Sequence, residues 1–142
     1  MKLHPFLDTN VLLDYFLARP PHANSCALIL NQAALGKIHA STSATSFTNV
    51  AYILGRLEKR RVVEKDILEL LQYVKIIPNT AQMLGDAVEM PLHDYEDAVQ
   101  YVSALGAKCT QIITSNKRDF KNSSIPVLDP SEFCKRYCTQ PA

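Results

Sequence analysis

Short apolar runs that stop on a polar residue, each followed by a segment with helical spacing, recur along the whole chain. This alternation constrains the fold more than any other feature. The first run is HPFLD at 4–8, ending on Asp8; residues 10–18 (NVLLDYFLA) then carry Val11, Leu12, Tyr15 and Phe16 on one helical side. Arg19-Pro20-Pro21 breaks that helix, because proline lacks an amide donor and disfavours helix in the residue before it. A second helix is expected over 23–35, closed by Gly36 just past its C-cap, and a strand over 37–42 (KIHAST). A long helix then runs from about 44 to 60, its N-cap drawn from the hydroxyls of STSATS. Residues 63–72 are amphipathic, with Val63, Ile67, Leu70 and Leu71 inward. A strand at 73–77 stops at Pro78, a helix at 80–90 follows a Thr80 cap, and a helix at 94–105 ends at Gly106. Strands at 109–114 and 125–128 and a closing helix at 130–138, with Pro130 in its first turn, complete the pattern. Strands alternating with helices specify the α/β class: three α/β/α layers, with a central, mainly parallel sheet of four to five strands and right-handed crossovers. Ligands of such sheets bind beyond the carboxyl ends of the strands, so a polar residue just after a strand is a functional candidate.

The 142 residues are expected to form a single domain over 1–142. An apolar share of 47% with 20% charged residues excludes intrinsic disorder. Fifteen Lys and Arg against fourteen Asp and Glu, a net charge of +1, argue against a polybasic coat or an acidic tail, yet such a sum can conceal a local patch. No apolar run approaches the roughly 18 residues of a membrane span. Asp8, Asn10 and Asp14 interrupt the N-terminal apolar stretch that a secretory signal would need. A cytoplasmic protein with no membrane partner is expected. Cys26, Cys109, Cys134 and Cys138 are then reduced, and His4, His22, His39 and His93 offer no spacing that would complete a zinc site with them.

Three segments pass the strand-end test. Asp8 ends the first apolar run; it could simply cap the helix that follows, but a carboxylate closing a buried strand is costly to keep without a partner. Asp94-Tyr95-Glu96-Asp97 opens a helix. Two acids suffice for capping and for the helix dipole, whereas three close together repel, and a divalent cation would neutralise that repulsion. Ile112 and Ile113 lead into Thr114-Ser115-Asn116 and then Asp119, either an ordinary Asn/Asp turn or a third acid at the same sheet edge. Hard oxygen ligands from a few carboxylates suit Mg²⁺ or Mn²⁺, and such a centre supports phosphodiester hydrolysis. Lys117, Arg118 and Lys121 lie beside the third segment and are candidates for holding a phosphate. The basic run Arg56–Arg61 fits a helix C-terminus, and His93 is read as a structural neighbour of the acids.

FLDTNVLLDYF at 6–16, DYEDAVQYVSA at 94–104 and ITSNKRDF at 113–120 stand in an order and spacing that resemble the PIN-domain nucleases, close to the VapC-type toxins of bacterial toxin–antitoxin modules. The resemblance spans nearly the whole chain. It implies a parallel sheet between helices, Mg²⁺- or Mn²⁺-dependent cleavage of RNA, homodimers and, for a toxin, a small antitoxin partner. Carried onto this sequence, it makes Asp8, Asp97 and Asp119 the catalytic and metal-binding acids, with Glu96 as a further metal-facing acid. Thr9, Asn10, Asn49, Thr114 and Asn116 support them. Asn116 and Asp119 both fall on the last motif, and Asp119 is favoured because it is charged. The departure is on the long helix, where the family usually carries a glutamate: SATSFTNVAYILGR offers Asn49 instead, and no acid stands between Asp14 and Glu58. Two outcomes follow: an endoribonuclease in which Glu96 makes up the charge, or a non-catalytic or weakly active PIN-fold module that binds RNA or protein. Other chemistries lack their residues. A haloacid-dehalogenase-type phosphatase needs Asp-x-Asp where this chain has Asp8-Thr9-Asn10, and four unclustered glycines form neither a P-loop nor a dinucleotide fingerprint.

Overall fold

The computed structural model describes residues 2–57, 60–92 and 94–138. Five strands, β1 (Pro5–Leu7), β2 (Ser41–Ser43), β3 (Lys75–Ile77), β4 (Gln111–Ile113) and β5 (Val127–Leu128), form one all-parallel sheet in the order β3-β2-β1-β4-β5. The helices are α1 (Thr9–Phe16), α2 (Ala23–Ala34), α3 (Ala44–Leu57), α4 (Arg60–Leu71), α5 (Ala81–Val88), α6 (Tyr95–Gly106) and α7 (Pro130–Phe133), the last running on as a π-helical turn, Cys134–Cys138. A 3-10 turn over Lys117–Phe120 follows β4. The chain lays down β1, β2 and β3 to one side, then returns to place β4 and β5 on the other. The direction of winding reverses between β1 and β4, and a crevice opens above their carboxyl ends.

Period-two alternation sends neighbouring residues to opposite layers. Phe6 and Ile112 pack with Tyr101 and Ala104 of α6 and with Phe120; Leu7 and Ile113 pack with Val11 and Leu12 of α1, Ile29 of α2, Leu54 of α3 and Phe133 of α7. The expected three-layer α/β/α architecture is therefore present, with both sheet faces covered.

The second strand differs from the expectation of 37–42. It occupies Ser41-Thr42-Ser43, so that only Ser41 and Thr42 of the expected strand belong to it, and all three hydroxyls are fully buried. Tertiary partners satisfy them: Thr42 Oγ1 donates to the Leu7 carbonyl (2.8 Å), Ser41 Oγ lies 2.6 Å from His4 Nε2, and Ser43 Oγ accepts from the Ser46 amide (3.0 Å), opening α3. A polar strand is tolerated because each hydroxyl is paired.

Three helix ends, those of α1, α2 and α6, follow one device. After α2, the Gly36 amide donates to the Ala33 carbonyl and the Lys37 amide to that of Gln32, with Gly36 at φ 74°. After α6 the same pair of bonds runs from Lys108 to Leu105 and from Cys109 to Ala104, so Gly106 is the last helical residue and Lys108 (φ 57°) takes the left-handed position. Ala18 (φ 51°) ends α1 likewise, one residue before the prolines come into play. Leu71, on α4, is exposed rather than inward, as is its neighbour Leu68; Val63 and Leu70 carry the packing, and Ile67 is half-buried. The four cysteines are free and buried. Among the described residues no helix is long and apolar enough to cross a membrane. Arg56 lies over the Tyr52 ring at 5.9 Å, whereas Glu58, Lys59 and His93, and the side chains of Arg60 and Arg61, lie outside the described residues.

Lys108 is exposed, so its side chain contributes little packing, while its left-handed backbone is unfavourable for any residue with a Cβ. Lys108→Gly is expected to raise stability by about 0.5–1 kcal/mol and Gly36→Ala to lower it by about 1 kcal/mol. Urea midpoints at unchanged m-value measure both; a lower midpoint for Lys108→Gly contradicts the strain assignment.

Candidate active site

The crevice above β1 and β4 is built around Asp8. The residue continues β1 (its amide donates to the Ile113 carbonyl, 3.0 Å), and its side chain is buried. Oδ1 accepts from the Thr9 amide at 2.8 Å; Oδ2 accepts from Thr114 Oγ1 at 2.8 Å and from Asn10 Nδ2 at 3.2 Å. Thr114 is the first residue beyond β4 and is itself fully buried. Asn10 also ties the two strand ends together, since its Oδ1 accepts from the Ser115 amide (3.0 Å). Asp14, one turn further along α1, accepts from Ser115 Oγ (2.7 Å) and pairs with Arg19 Nε (2.9 Å).

Asp8, Thr9, Asn10, Leu13, Asp94, Glu96, Asp97, Gln100 and Asp119 line one open cavity of about 260 Å³. Asp94 caps α6, its Oδ1 accepting from the Asp97 amide (3.1 Å), which puts Glu96 and Asp97 in the first helical turn beside the cavity. Asp119 arrives on the 3-10 turn after β4. Burial raises the Asp8 carboxyl to about 6, opposed by the hydrogen bonds from Thr114 and Thr9 and by the nearby Gln100 amide, and reinforced by the charge of Asp119. Asp97 rises to about 7, first through burial and then through the carboxylates of Asp8, Asp119, Asp94 and Glu96. These acids therefore sense one another across the cavity.

The sequence candidates divide as follows. Asp8, Asp97, Asp119, Glu96, Thr9 and Asn10 share the cavity. Thr114 holds Asp8 and stands behind it; the Asn116 amide donates to Thr114 Oγ1 (3.1 Å), so that residue enters through its backbone. Asn49 does not line the cavity but reaches Glu96 across 47 residues of sequence, its Nδ2 donating to Glu96 Oε1 at 2.8 Å. Lys117 is turned to α7, where its ammonium meets Glu132 Oε1 at 2.7 Å; Arg118 and Lys121 are exposed on the turn that carries Asp119. Sequence reasoning missed Gln100, which is buried, donates to Glu96 Oε1 at 3.5 Å and leaves its own Oε1 without a partner. Its signal was present: an amide at i+3 from Asp97 and i+4 from Glu96, in an otherwise apolar stretch of helix.

Among the described residues no three His, Cys, Asp or Glu side chains are already disposed as a metal cage. The donor set is nevertheless that of a hydrated hard cation. Carboxylates from three elements surround the cavity, and two further buried oxygens, Thr9 Oγ1 and Gln100 Oε1, have no hydrogen-bond partner. Mg²⁺ keeps several waters and needs only one or two protein carboxylates, so the residues present fit it.

The family model of the PIN domain matches residues 5–118. Ribonuclease VapC1 of Aquifex aeolicus (strain VF5) is 31% identical over 139 residues, covering 94% of this chain and 95% of the relative. The fold is shared with the solved structure of VapBC2 from Rickettsia felis bound to a DNA fragment from its promoter (TM-score 0.68, 15% identity, 89% of this chain and 98% of that one). It is shared equally with VapC20 of Mycobacterium tuberculosis, a sarcin-ricin loop cleaving toxin (TM-score 0.68, 15% identity, 85% and 95%).

Asp8 and Asp97 ionise at higher pH folded than unfolded, so the folded chain retains the extra protons. That stabilisation is complete below the ordinary carboxylate range and is lost as pH rises through about 6 and about 7. His4, lowered by burial and by Lys75 at the opposite end of the sheet, acts in the other sense, so variant and wild type must be compared directly. Asp97→Asn is expected to raise the metal-free Tm at pH 8 by a few degrees, the effect of about 1 kcal/mol after allowance for solvent screening. The gain should shrink as pH falls below about 7 and vanish only near pH 4, below the ordinary carboxylate range. An equal Tm shift at both pH values contradicts mutual repulsion as its cause.

Proposed function

The chain belongs to the PIN-domain family, and on that premise we propose that it is a metal-dependent ribonuclease, hydrolysing RNA phosphodiester bonds as the toxin of a type II toxin–antitoxin module in the cytoplasm. The observation that carries this reading is the convergence of Asp8, Glu96, Asp97 and Asp119, from three separate segments, on one cavity at the point where the sheet reverses its winding. The name of the Aquifex relative, a ribonuclease, and the solved toxin–antitoxin complexes of the same fold support the substrate and a small antitoxin partner. A homodimer belongs to the same proposal.

Asp8, Asp97 and Asp119, with Glu96, would hold Mg²⁺ or Mn²⁺. Such an ion supplies charge for the phosphate oxygens and lowers the pKa of a bound water. The chain's own residues supply the rest. Thr114, Asn10 and the Thr9 amide fix the Asp8 carboxylate. Asp97 holds a proton up to about pH 7 in the metal-free protein, so binding such an ion would displace it. Arg118 and Lys121, exposed next to Asp119, hold a phosphodiester at the cavity mouth. Lys117 contributes less, because Glu132 already takes its ammonium. The second reading, a non-catalytic RNA- or protein-binding module, is favoured only by the neutral Asn49 on α3.

A ribonuclease assay with and without Mn²⁺ separates the two. Cleavage by wild type is expected to need the metal and to fall by about 100-fold or more in Asp8→Asn and in Asp97→Asn. Activity that survives both substitutions belongs to a contaminant and favours the non-catalytic module. RNA affinity measured against salt adds a second check. The double variant Arg118→Ala/Lys121→Ala should flatten the logarithmic slope by roughly 1.4, about 0.7 for each phosphate of a single strand that is no longer neutralised. An unchanged slope takes both residues out of the footprint.

A further inference from the structure

Asn49 sits on α3, half-buried, within hydrogen-bond reach of Glu96, which lines the acid cavity. Its amide is not idle. Nδ2 donates to Glu96 Oε1 at 2.8 Å, and Gln100 Nε2 approaches the same oxygen at 3.5 Å, so two neutral donors on different helices take Oε1 and neither takes Oε2. Glu96 is otherwise exposed, a long side chain that would sample several rotamers without them. Gln100 is 1% exposed, lines the same cavity, and keeps its Oε1 unpartnered. A buried amide oxygen without a partner is costly in a finished polar network, and a cation or its water would satisfy it.

We infer that Asn49 is a positioning residue for Glu96: together with Gln100 it holds that carboxylate at the cavity, so that α3 contributes to the cation site through a hydrogen bond while the charge itself comes from α6. This rests on the metal-dependent reading above. Asn49 then acts through another residue and touches neither ion nor substrate. The charge and the amide are interchangeable within the pair: a glutamate at 49 facing a glutamine at 96 has the same net charge and the same donor–acceptor count, with the carboxylate on the other helix.

Calorimetric titration of Mn²⁺ alone into the full chain tests this without reference to activity. Glu96→Gln is expected to bind Mn²⁺ about tenfold more weakly than wild type, and Asn49→Ala to lose affinity within the same range, as for other groups that orient a ligand. Asn49→Gln keeps an amide donor on α3 and should stay close to wild type. The exchange Asn49→Glu/Glu96→Gln should recover most of the affinity that Glu96→Gln loses. Metal-free melting confirms that each variant is folded; if Asn49→Ala is not, the Glu96→Gln and exchange variants carry the test. Wild-type affinity in Glu96→Gln overturns the inference and leaves the metal reading standing. Wild-type affinity in Asn49→Ala, or an exchange variant no better than Glu96→Gln, overturns the positioning role. A wild type that takes up no Mn²⁺ overturns the metal reading, and this inference with it.

Discussion

The hydrogen bond between the Asp8 carboxylate and Thr114 Oγ1, 2.8 Å across the seam of β1 and β4, is the one on which the rest of the site depends. It joins the ends of two strands that lie 106 residues apart in sequence, at the place where the sheet's winding turns back. Once Thr114 is fixed, Asn10 can take the Ser115 amide and Asp14 the Ser115 hydroxyl, and the segment leading to Asp119 is docked on α1. Removing the carboxylate would leave the buried Thr114 hydroxyl without its acceptor, at about 1–3 kcal/mol, and free the half-buried Thr9 amide as well. The same interaction thus organises the core edge and aims a catalytic candidate, which is why Asp8 can be buried and still carry a charge.

Keeping several acids at one rim has a cost that the metal-free fold meets locally. Asp94 is spent on capping α6, and Glu96 and Asp97 stand in its first turn, where unpaired amides and the helix dipole favour anions. Asp8 draws on three hydrogen bonds, from Thr9, Asn10 and Thr114. What remains uncompensated appears as carboxyls that hold protons to about 6 and about 7. A site strained by like charge is the arrangement expected where a cation is to be gained, and it exchanges stability for function. The balanced total of fifteen bases and fourteen acids conceals this segregation, with Arg118 and Lys121 next to the acid rim and Lys117 drawn off to α7.

The acids were legible in the sequence because each follows an apolar strand or opens a helix, positions that topology alone carries to one sheet edge. The hydroxyl strand Ser41-Thr42-Ser43 was legible only in part, at Ser41 and Thr42, since its partners are His4, the Leu7 carbonyl and Ser46, and hydrophobic periodicity is blind to the bounds of a strand whose buried side chains are all polar. Lys108 and Ala18 escaped for a related reason: the left-handed position that ends a helix usually goes to glycine, and here hydrogen bonds to the last carbonyls hold two other residues in it. Leu71 carries the helical period of α4 but lies at the edge of its buried stripe. The bond from Asn49 to Glu96 spans 47 positions, and nothing local in either segment announces it.

That bond also bears on why a neutral residue suits α3. Position 49 lies beyond the first turn of α3, where no free amide or dipole end offsets a carboxylate, and it is half-buried. With Glu96 in place, a charge there would lose hydration and would face the anions of α6 directly. Glu96 stands in the first turn of α6, exposed, with the positive end of the helix beneath it. Placing the carboxylate on α6 and the amide on α3 turns a like-charge encounter into a charge-assisted hydrogen bond, worth more than a neutral one. The substitution that looks like a loss when α3 is read by itself therefore lowers the energy of the acid cluster as a whole while leaving its negative charge at the cavity.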